Sequence, residues 1–502
     1  MRRSAILAPL CVLTLWTGCD MGDAAKGDTD TGADPSTDTP ADTSSEPPID
    51  TPIDTDPPEA SALIGEAFDC GRATNVGGLS EGSGATFLER HVLDTTVFPD
   101  ALCNDGSPAI FYFRPADDPA FANKWVVELQ GGGGCSSPEL CAKRWCGVDT
   151  NFSKTQMTST TSPLTTDGTG ILARSRDGVL PADNPLEHYN QVLIKYCSSD
   201  TWRGTARDAA VEAPHPSTGV LTPYRLHFLG HRILEATLAT LQRDPTPALR
   251  HVGLDADLPD LDNATEVVLA GASAGGGGVT FSLDWLQQTL VDRQPATEVL
   301  GLIDSTFAPE LIGLDFTGST FCLQQGLCSD EAFLTYGESA QDDLWHAVTE
   351  ESCESFHAAD GAAWKCASDT HVILHHLQTP FFVRQGLSDP LISDTYVEGG
   401  LRKAGQRFDL NLFGTAVREH LESFAGLDAT AEEGASFTTT PGGYGPLCSK
   451  HETLRSTPDT FAVTILPTGG VPKRMFDVWT AWRTGIGDAT VVSQNGQDSF
   501  CP

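Results

Sequence analysis

Short apolar runs alternate with segments of helical spacing between residues 120 and 390. The runs predict five buried strands, at 124–130, 189–196, 266–270, 299–303 and 380–385. Apolar residues recur at helical spacing in 231–241 and 279–290, which predicts two helices between these strands. Strands that alternate with helices are typical of a mostly parallel sheet covered by helices on both faces. The pattern therefore predicts an α/β fold, whose functional sites gather beyond the carboxyl ends of the strands.

The N-terminus predicts an export signal over residues 1–19. Arg2 and Arg3 precede an apolar run that ends at Trp16 and is too short to span a bilayer. The following Thr17-Gly18-Cys19 resembles a bacterial lipobox, in which the chain is cut before a cysteine that receives lipid. Cys19 is therefore the expected lipidation site and the only expected membrane contact. Trp16 replaces the usual Leu, so secretion without lipid remains an alternative.

Residues 20–62 form an acidic tract of Thr, Asp and Pro with a local charge of −11. So few large apolar residues cannot build a core, and the tract is predicted to be a disordered linker. Residues 63–502 are predicted to be one globular domain, which carries a further net charge of −28. That charge argues against nucleic-acid binding and predicts repulsion of acidic polymers such as pectin.

The chain contains 14 cysteines. Without Cys11 of the signal and Cys19, an even number remains, which in an exported protein favours disulfides. Cys135–Cys141 and Cys322–Cys328 are plausible local bridges, but the sequence leaves the other pairings open. No spacing of Cys and His indicates a zinc site, so neither a metal nor a cofactor is expected.

The predicted strand at 266–270 leads into Gly271-Ala272-Ser273-Ala274-Gly275, and a predicted helix follows. Small residues permit the strained turn that exposes a nucleophilic serine at a helix N-terminus. Ser273 is therefore the candidate nucleophile, with a plain glycine-rich turn as the alternative. Its oxyanion donors are expected to be the amides of Ala274, Gly132 and Gly133, although the glycine run at 131–134 could serve only as a flexible turn.

A serine nucleophile needs a base, and in α/β hydrolases the acid and the histidine follow the serine along the chain. Asp389 follows the fifth predicted strand, although an Asp before Pro is also a common turn residue. His451 lies in a late loop after Cys448, where a disulfide could hold it. The next candidates are His375 and His376, which precede a strand and are more easily interpreted as structural.

Together these segments resemble the pectin acetylesterase and Notum family of carboxylesterases. The matching strings are Leu129-Gln130-Gly131-Gly132-Gly133-Gly134-Cys135, Tyr196-Cys197-Ser198-Ser199-Asp200-Thr201-Trp202, Leu269-Ala270-Gly271-Ala272-Ser273-Ala274-Gly275-Gly276, Ile303-Asp304-Ser305 and Cys448-Ser449-Lys450-His451-Glu452. The resemblance implies a disulfide-stabilised α/β-hydrolase-like fold, with Ser273, Asp389 and His451 as nucleophile, orienting acid and base. Gln130 and Gly133 stand where the family commonly has Glu and an aromatic residue, which leaves the substrate open.

These observations predict that residues 63–502 are the catalytic domain of an exported, lipid-anchored or secreted serine carboxylesterase. The expected substrate is an acylated glycan, from which an acetyl group is removed through an acyl-enzyme, rather than a long-chain acylated protein or lipid. Two alternatives remain open: a catalytically silent surface-binding lipoprotein with the hydrolase fold, and a metal-dependent hydrolase that uses His375 and His376.

Overall fold

A computed structural model describes residues 62–70, 78–82, 87–148, 154–175, 184–242, 259–424, 440–466, 470–494 and 499–501. The predicted export signal at 1–19, with Cys19, and the acidic linker up to residue 61 lie outside these residues. The boundary at residue 63 therefore stays a prediction. Within the described ranges, no helix is both long enough and apolar enough to cross a membrane.

The described chain alternates strands and helices along most of its length. The strands are β1 Phe87–Val92, β2 Ile110–Arg114, β3 Lys124–Leu129, β4 Thr165–Asp167, β5 Asn190–Ile194, β6 Ala206–Pro214, β7 Leu221–Phe228, β8 Glu266–Ala272, β9 Glu298–Asp304, β10 Phe381–Arg384, β11 Arg402–Lys403, β12 Gln406–Arg407, β13 Gly442–Gly445, β14 Thr464–Ile465, β15 Lys473–Arg474, β16 Thr490–Val492 and β17 Ser499–Phe500. The helices are α1 Ile64–Ala67, α2 Pro138–Cys146, α3 Gly230–Leu241, α4 Ala274–Arg293, α5 Thr320–Gln325, α6 Asp330–Trp345, α7 Glu351–His357, α8 Asp369–His375, α9 Pro390–Val397, α10 Leu410–Ser423, α11 Thr457–Ala462 and α12 Met475–Thr484.

Ten strands form one central sheet in the order β16-β13-β10-β9-β8-β3-β5-β2-β1-β4. The strands from β16 to β5 are parallel, whereas β2, β1 and β4 continue the sheet as antiparallel strands. The mostly parallel α/β fold is thereby confirmed. The five predicted strands are β3, β5, β8, β9 and β10, and the two predicted helices are α3 and α4.

Both faces of the central parallel strands β3, β5, β8, β9 and β10 are buried, which explains why these strands are nearly continuous apolar runs in the sequence. On β3, Val127 belongs to the core that includes α3, α4 and α10, whereas the neighbouring Val126 belongs to the core that includes α11 and α12. This alternation follows from the two-residue period of side chains along a strand. Helices therefore cover the sheet on both sides, as the sequence predicted.

Every cysteine of the described residues is part of a disulfide. The two local bridges, Cys135–Cys141 and Cys322–Cys328, are confirmed. The four pairings that the sequence left open are Cys70–Cys146, Cys103–Cys197, Cys353–Cys366 and Cys448–Cys501. Cys448–Cys501 fixes the start of the loop that carries His451.

A buried carboxylate joins several loops at the carboxyl edge of the sheet. Asp304, the last residue of β9, is fully buried, and its Oδ1 lies 3.1 Å from Nη1 of Arg384 on the adjacent strand β10. Its Oδ2 accepts hydrogen bonds from the backbone amides of Thr453 at 2.8 Å and Leu454 at 3.1 Å. Asp304 therefore holds the loop that follows β13 against the end of β9.

We expect the substitution Asp304→Asn to lower the free energy of unfolding by about 3 to 5 kcal/mol, because it leaves the buried Arg384 without its counter-charge. Denaturant unfolding measures the change. Asp100→Asn is a matched control, since Asp100 pairs with Arg207 while both side chains are nearly half exposed, and the expected cost there is below about 1 kcal/mol. Equal losses in the two variants would show that the Asp304 network does not hold the fold together.

Candidate active site

Ser273 lies at a sharp bend between β8 and α4. Its φ is 56°, in the left-handed region, and its amide donates to the carbonyl oxygen of Asp304 at 2.9 Å. Both flanking positions require glycine, because a Cβ at either would clash with a neighbouring carbonyl group. A Cβ at Gly271 would lie 2.2 Å from the carbonyl oxygen of Gly275, and one at Gly275 would lie 2.1 Å from that of Leu129. The bend therefore needs glycine on both sides of the serine, as the motif predicted.

The glycine loop after β3 is fixed through three consecutive carbonyl groups. The carbonyl oxygen of Gln130 accepts from Trp202 Nε1 at 3.0 Å, that of Gly131 from Gln156 Nε2 at 3.5 Å, and that of Gly132 from Arg144 Nη2 at 2.7 Å. A trans peptide directs its N–H opposite to its C=O. Hydrogen bonds to these carbonyls therefore point the amides of residues 131 to 133 away from Trp202, Gln156 and Arg144.

The three amides predicted to stabilise an oxyanion remain available. Among the described residues, the amides of Gly132, Gly133 and Ala274 donate no hydrogen bond to another group. Gly132 and Gly133 have φ values of 147° and 60°, which residues other than glycine rarely adopt. Ala274 is the first residue of α4, where an amide has no partner within its own helix. Amides of this kind can donate hydrogen bonds to a carbonyl oxygen and stabilise negative charge that develops on it.

Asp389 and His451 form a buried pair. Asp389 follows β10, caps α9 by accepting from the amides of Leu391 and Ile392, and has no exposed surface. His451 Nδ1 lies 2.9 Å from Asp389 Oδ2 and 3.1 Å from Oδ1. A carboxylate only accepts hydrogen bonds, so this contact assigns the proton of the neutral ring to Nδ1 and leaves the Nε2 lone pair free.

The surroundings favour a basic imidazole at residue 451. Burial alone would lower the pKa of His451, but the hydrogen bond and charge of Asp389, together with the carboxylates of Glu452 and Asp304, raise it above the usual value. His451 Nε2 is buried and has no hydrogen-bond partner among the described residues. The hydrogen bond from Ser273 that a resting triad would show is thus not formed in this conformation, as is common without substrate.

Four neighbouring strands bring these groups to one edge of the sheet. Ser273 follows β8, Asp304 ends β9, Asp389 follows β10, and the loop of His451 follows β13, in the order in which these strands lie side by side. Gly131 marks the meeting point. A Cβ there would lie 2.0 Å from Glu452 Oε1 and 2.6 Å from the carbonyl oxygen of Ala272. The residues after His451, the serine bend and the glycine loop therefore converge.

The alternative histidine candidates lie elsewhere. His375 ends α8 and His376 follows it, shortly before β10 begins. His375 Nε2 lies 3.6 Å from Glu310 Oε1, and the His376 ring packs against the rings of His357 and His371. These contacts do not involve Ser273, Asp389 or His451, and the metal-dependent hydrolase stays a prediction.

Several residues that shape the site had no role assigned from the sequence. Asp304 and Trp202 lie in strings noted only for their family resemblance, although a carboxylate directly after a buried strand is a usable signal. Arg144 and Gln156 carry no local signal, because their function depends on reaching Gly132 and Gly131 across folded loops.

Comparison with known proteins is consistent with this geometry. The family model for pectinacetylesterases matches residues 83–462. Curated relatives include Palmitoleoyl-protein carboxylesterase NOTUM of Drosophila melanogaster, 32% identical over 57% of this chain and 36% of that protein. The Homo sapiens protein of the same name is 26% identical over 73% of this chain and 61% of that protein. Palmitoleoyl-protein carboxylesterase notum2 of Xenopus laevis is 28% identical over 60% and 52%. The chain thus spans about half the length of these curated relatives.

A solved structure shares the fold. The Wnt deacylase Notum from Drosophila superposes with a TM-score of 0.57 at 24% identity, covering 83% of this chain and 99% of that chain. The match agrees with the α/β-hydrolase-like sheet described above. The family model spans most of the described domain, and its range includes the glycine loop, Ser273, Asp304, Asp389 and His451. The chain therefore belongs to the pectinacetylesterase family.

Proposed function

We propose that this chain is a serine carboxylesterase in which Ser273, His451 and Asp389 act as nucleophile, base and orienting acid. The observation that carries the proposal is the buried Asp389–His451 pair at the same sheet edge as the strained serine bend. Membership of a family described as pectinacetylesterases supports ester hydrolysis as the reaction class. The available amides of the glycine loop supply the remaining component that acyl transfer needs.

The reaction would proceed through an acyl-enzyme. His451 Nε2 takes the proton of Ser273 Oγ, which attacks the ester carbonyl carbon, and the amides of Gly132, Gly133 and Ala274 stabilise the resulting oxyanion. The tetrahedral intermediate then expels the alcohol, which receives the proton from His451. Water, deprotonated by His451, attacks the acyl carbon. His451 then returns the proton to Ser273 Oγ as the carboxylic acid is released. Asp389 orients the ring and stabilises its protonated form throughout.

For the substrate, we propose a small acyl group, foremost acetyl, on a polysaccharide. The net charge of −28 on residues 63–502 favours a neutral or weakly acidic glycan over a polyanionic one. Gln130 does not argue against this choice, because its side chain is buried and its Oε1 accepts from the amide of Tyr196, just after β5. The side chain at this position therefore supports the scaffold.

We also propose export, with Cys19 as the lipid attachment site. Six disulfides within the described residues fit an oxidising compartment, where such bonds form and persist. Residues 20–62 would then act as a tether of about 40 Å if they behave as a flexible coil. This reach would let the catalytic domain act on polymers close to the cell envelope.

Replacing Ser273 by Ala is expected to lower the hydrolysis rate of p-nitrophenyl acetate by roughly 10⁶-fold, because the nucleophile is removed. Steady-state kinetics and thermal unfolding of the purified protein measure activity and folding together. Ser282→Ala is the matched control, since Ser282 lies on the same helix and its buried hydroxyl has no hydrogen-bond partner among the described residues. Full activity in the Ser273 variant would refute the assignment.

The substrate proposal predicts that acetyl esters are cleaved faster than long-chain esters, and that acetylated xylan releases more acetate than acetylated pectin at low ionic strength. Added salt should reduce the difference in acetate release between xylan and pectin, because it screens repulsion between the acidic enzyme and pectin. Acetate release is measured directly, with chitin as a control whose acetyl groups are amide-linked. A clear preference for long-chain p-nitrophenyl esters would instead indicate deacylation of a fatty-acylated substrate.

A further inference from the structure

Three histidine rings, none of which belongs to the proposed triad, form a compact buried cluster. His357 ends α7, His371 lies within α8, and His376 follows α8; they are 0%, 1% and 2% exposed. Their ring centres are 5.5 Å apart for 357 and 371, 5.5 Å for 357 and 376, and 5.2 Å for 371 and 376. The three imidazoles therefore surround a common point almost symmetrically.

The hydrogen-bond directions within this cluster are unbalanced. His357 Nδ1 faces Asp360 Oδ2 at 3.2 Å, and His371 Nδ1 faces Glu310 Oε1 at 2.7 Å. Because a carboxylate only accepts, each neutral ring must place its single N–H on Nδ1. The two Nε2 atoms then face each other at 3.3 Å with lone pairs on both sides. Two facing lone pairs repel each other. The contact becomes favourable when one ring is protonated and donates its Nε2–H to the other, or when both nitrogens bind one metal ion.

The spacing is that of ligands around one metal ion. Zn–N bonds of about 2.0 to 2.1 Å in a tetrahedral site place two ligand nitrogens about 3.3 to 3.4 Å apart, and the centres of rings that point at the metal about 5.2 Å apart. The Nε2 separation of 3.3 Å and the ring separations of 5.2 to 5.5 Å agree with both values. Asp360 and Glu310 are then the carboxylates that typically receive the other N–H of a metal-bound histidine.

We propose that His357, His371 and His376 bind a divalent transition metal of the zinc class through ring nitrogens, with Asp360 and Glu310 as outer hydrogen-bond acceptors. Cys353 lies in the same group, in which the ligand atoms are all within 4.8 Å of one another, but its sulfur is bonded to Cys366. The fourth position is therefore assigned to water. Imidazole ligands suit Zn²⁺, Cu²⁺ and Ni²⁺ better than Mg²⁺ or Ca²⁺.

The fold organises this cluster in advance. The Cys353–Cys366 disulfide ties α7, which ends in His357, to the segment directly before α8. The cluster also lies close to solvent, because the ring of Phe356, which is 45% exposed, packs against His357 at 5.0 Å and His376 at 5.6 Å. A metal here would join α7 to α8 and, through Glu310, to the loop after β9.

A second set of potential ligands shares His371 but fits less well. Glu310, His371 and His375 also lie within 4.8 Å of one another. Glu310 Oε1 is only 2.7 Å from His371 Nδ1, a hydrogen-bond distance that is shorter than the spacing of two ligands on one metal. The two arrangements predict opposite roles for His375, which is a ligand in the second set and has no role in the first.

The experiment is isothermal titration of the chelator-treated full chain with zinc sulfate, together with thermal unfolding. We expect one Zn²⁺ per chain and a higher unfolding midpoint with zinc. His376→Ala should remove binding, whereas the neighbouring His375→Ala, the matched control, should leave it unchanged. Asp360→Asn should weaken binding roughly tenfold, as loss of an outer-sphere acceptor typically does. Asp360 is 54% exposed, so this variant is expected to fold.

The proposal is overturned if zinc does not bind, if His375→Ala abolishes binding, or if Asp360→Asn binds zinc like the unaltered chain. If His376→Ala does not fold, the comparison of Asp360→Asn with His375→Ala decides. Hydrolysis of p-nitrophenyl acetate by the chelator-treated chain separates this site from the proposed esterase. Retained activity together with zinc-dependent stability is the expected result, since no ligand belongs to the serine site.

Discussion

The carboxylate of Asp304 is the constraint on which the carboxyl edge of this sheet depends. It is buried, balanced by Arg384 on the neighbouring strand, and bonded to the amides of Thr453 and Leu454. Its own backbone carbonyl accepts the amide of Ser273. One residue at the end of β9 therefore connects the serine bend on one side with the histidine loop on the other. The buried charge is stabilised by specific partners, so the loops it joins have little freedom to move apart.

The glycine loop is held differently. Side chains bind its carbonyl oxygens, and its amides then point away from these side chains. Trp202, Gln156 and Arg144 bind three successive carbonyls, and each contact directs the following amide away from its support. Preorganised amides of this kind need no rearrangement when charge develops on a substrate oxygen. Side chains that bind the loop carbonyls thus determine the direction of the amides proposed to bind the substrate oxygen.

Local patterns in the sequence predicted the centre of the fold well and its periphery poorly. Continuous apolar runs identified β3, β5, β8, β9 and β10, because these strands are buried on both faces. The start of α4 at Ala274 was placed at residue 279, since glycines 275 to 278 carry no apolar periodicity. The antiparallel strands β1, β2 and β4 were not predicted.

Candidate site residues were found from motif and chain order, whereas Arg144, Gln156 and the cluster of His357, His371 and His376 depend on contacts between distant segments. A cluster built in this way has no fixed spacing, which is why the sequence did not indicate the metal site proposed here.

The central claim, that Ser273 is the group that becomes acylated, is tested most directly by peptide mass spectrometry after reaction with a fluorophosphonate. The account predicts a single covalent adduct on the peptide that contains Ser273, and its loss when His451 is replaced by Ala, because the base that activates the hydroxyl is then absent. An active enzyme that forms no adduct, or forms one on another serine, would contradict the account.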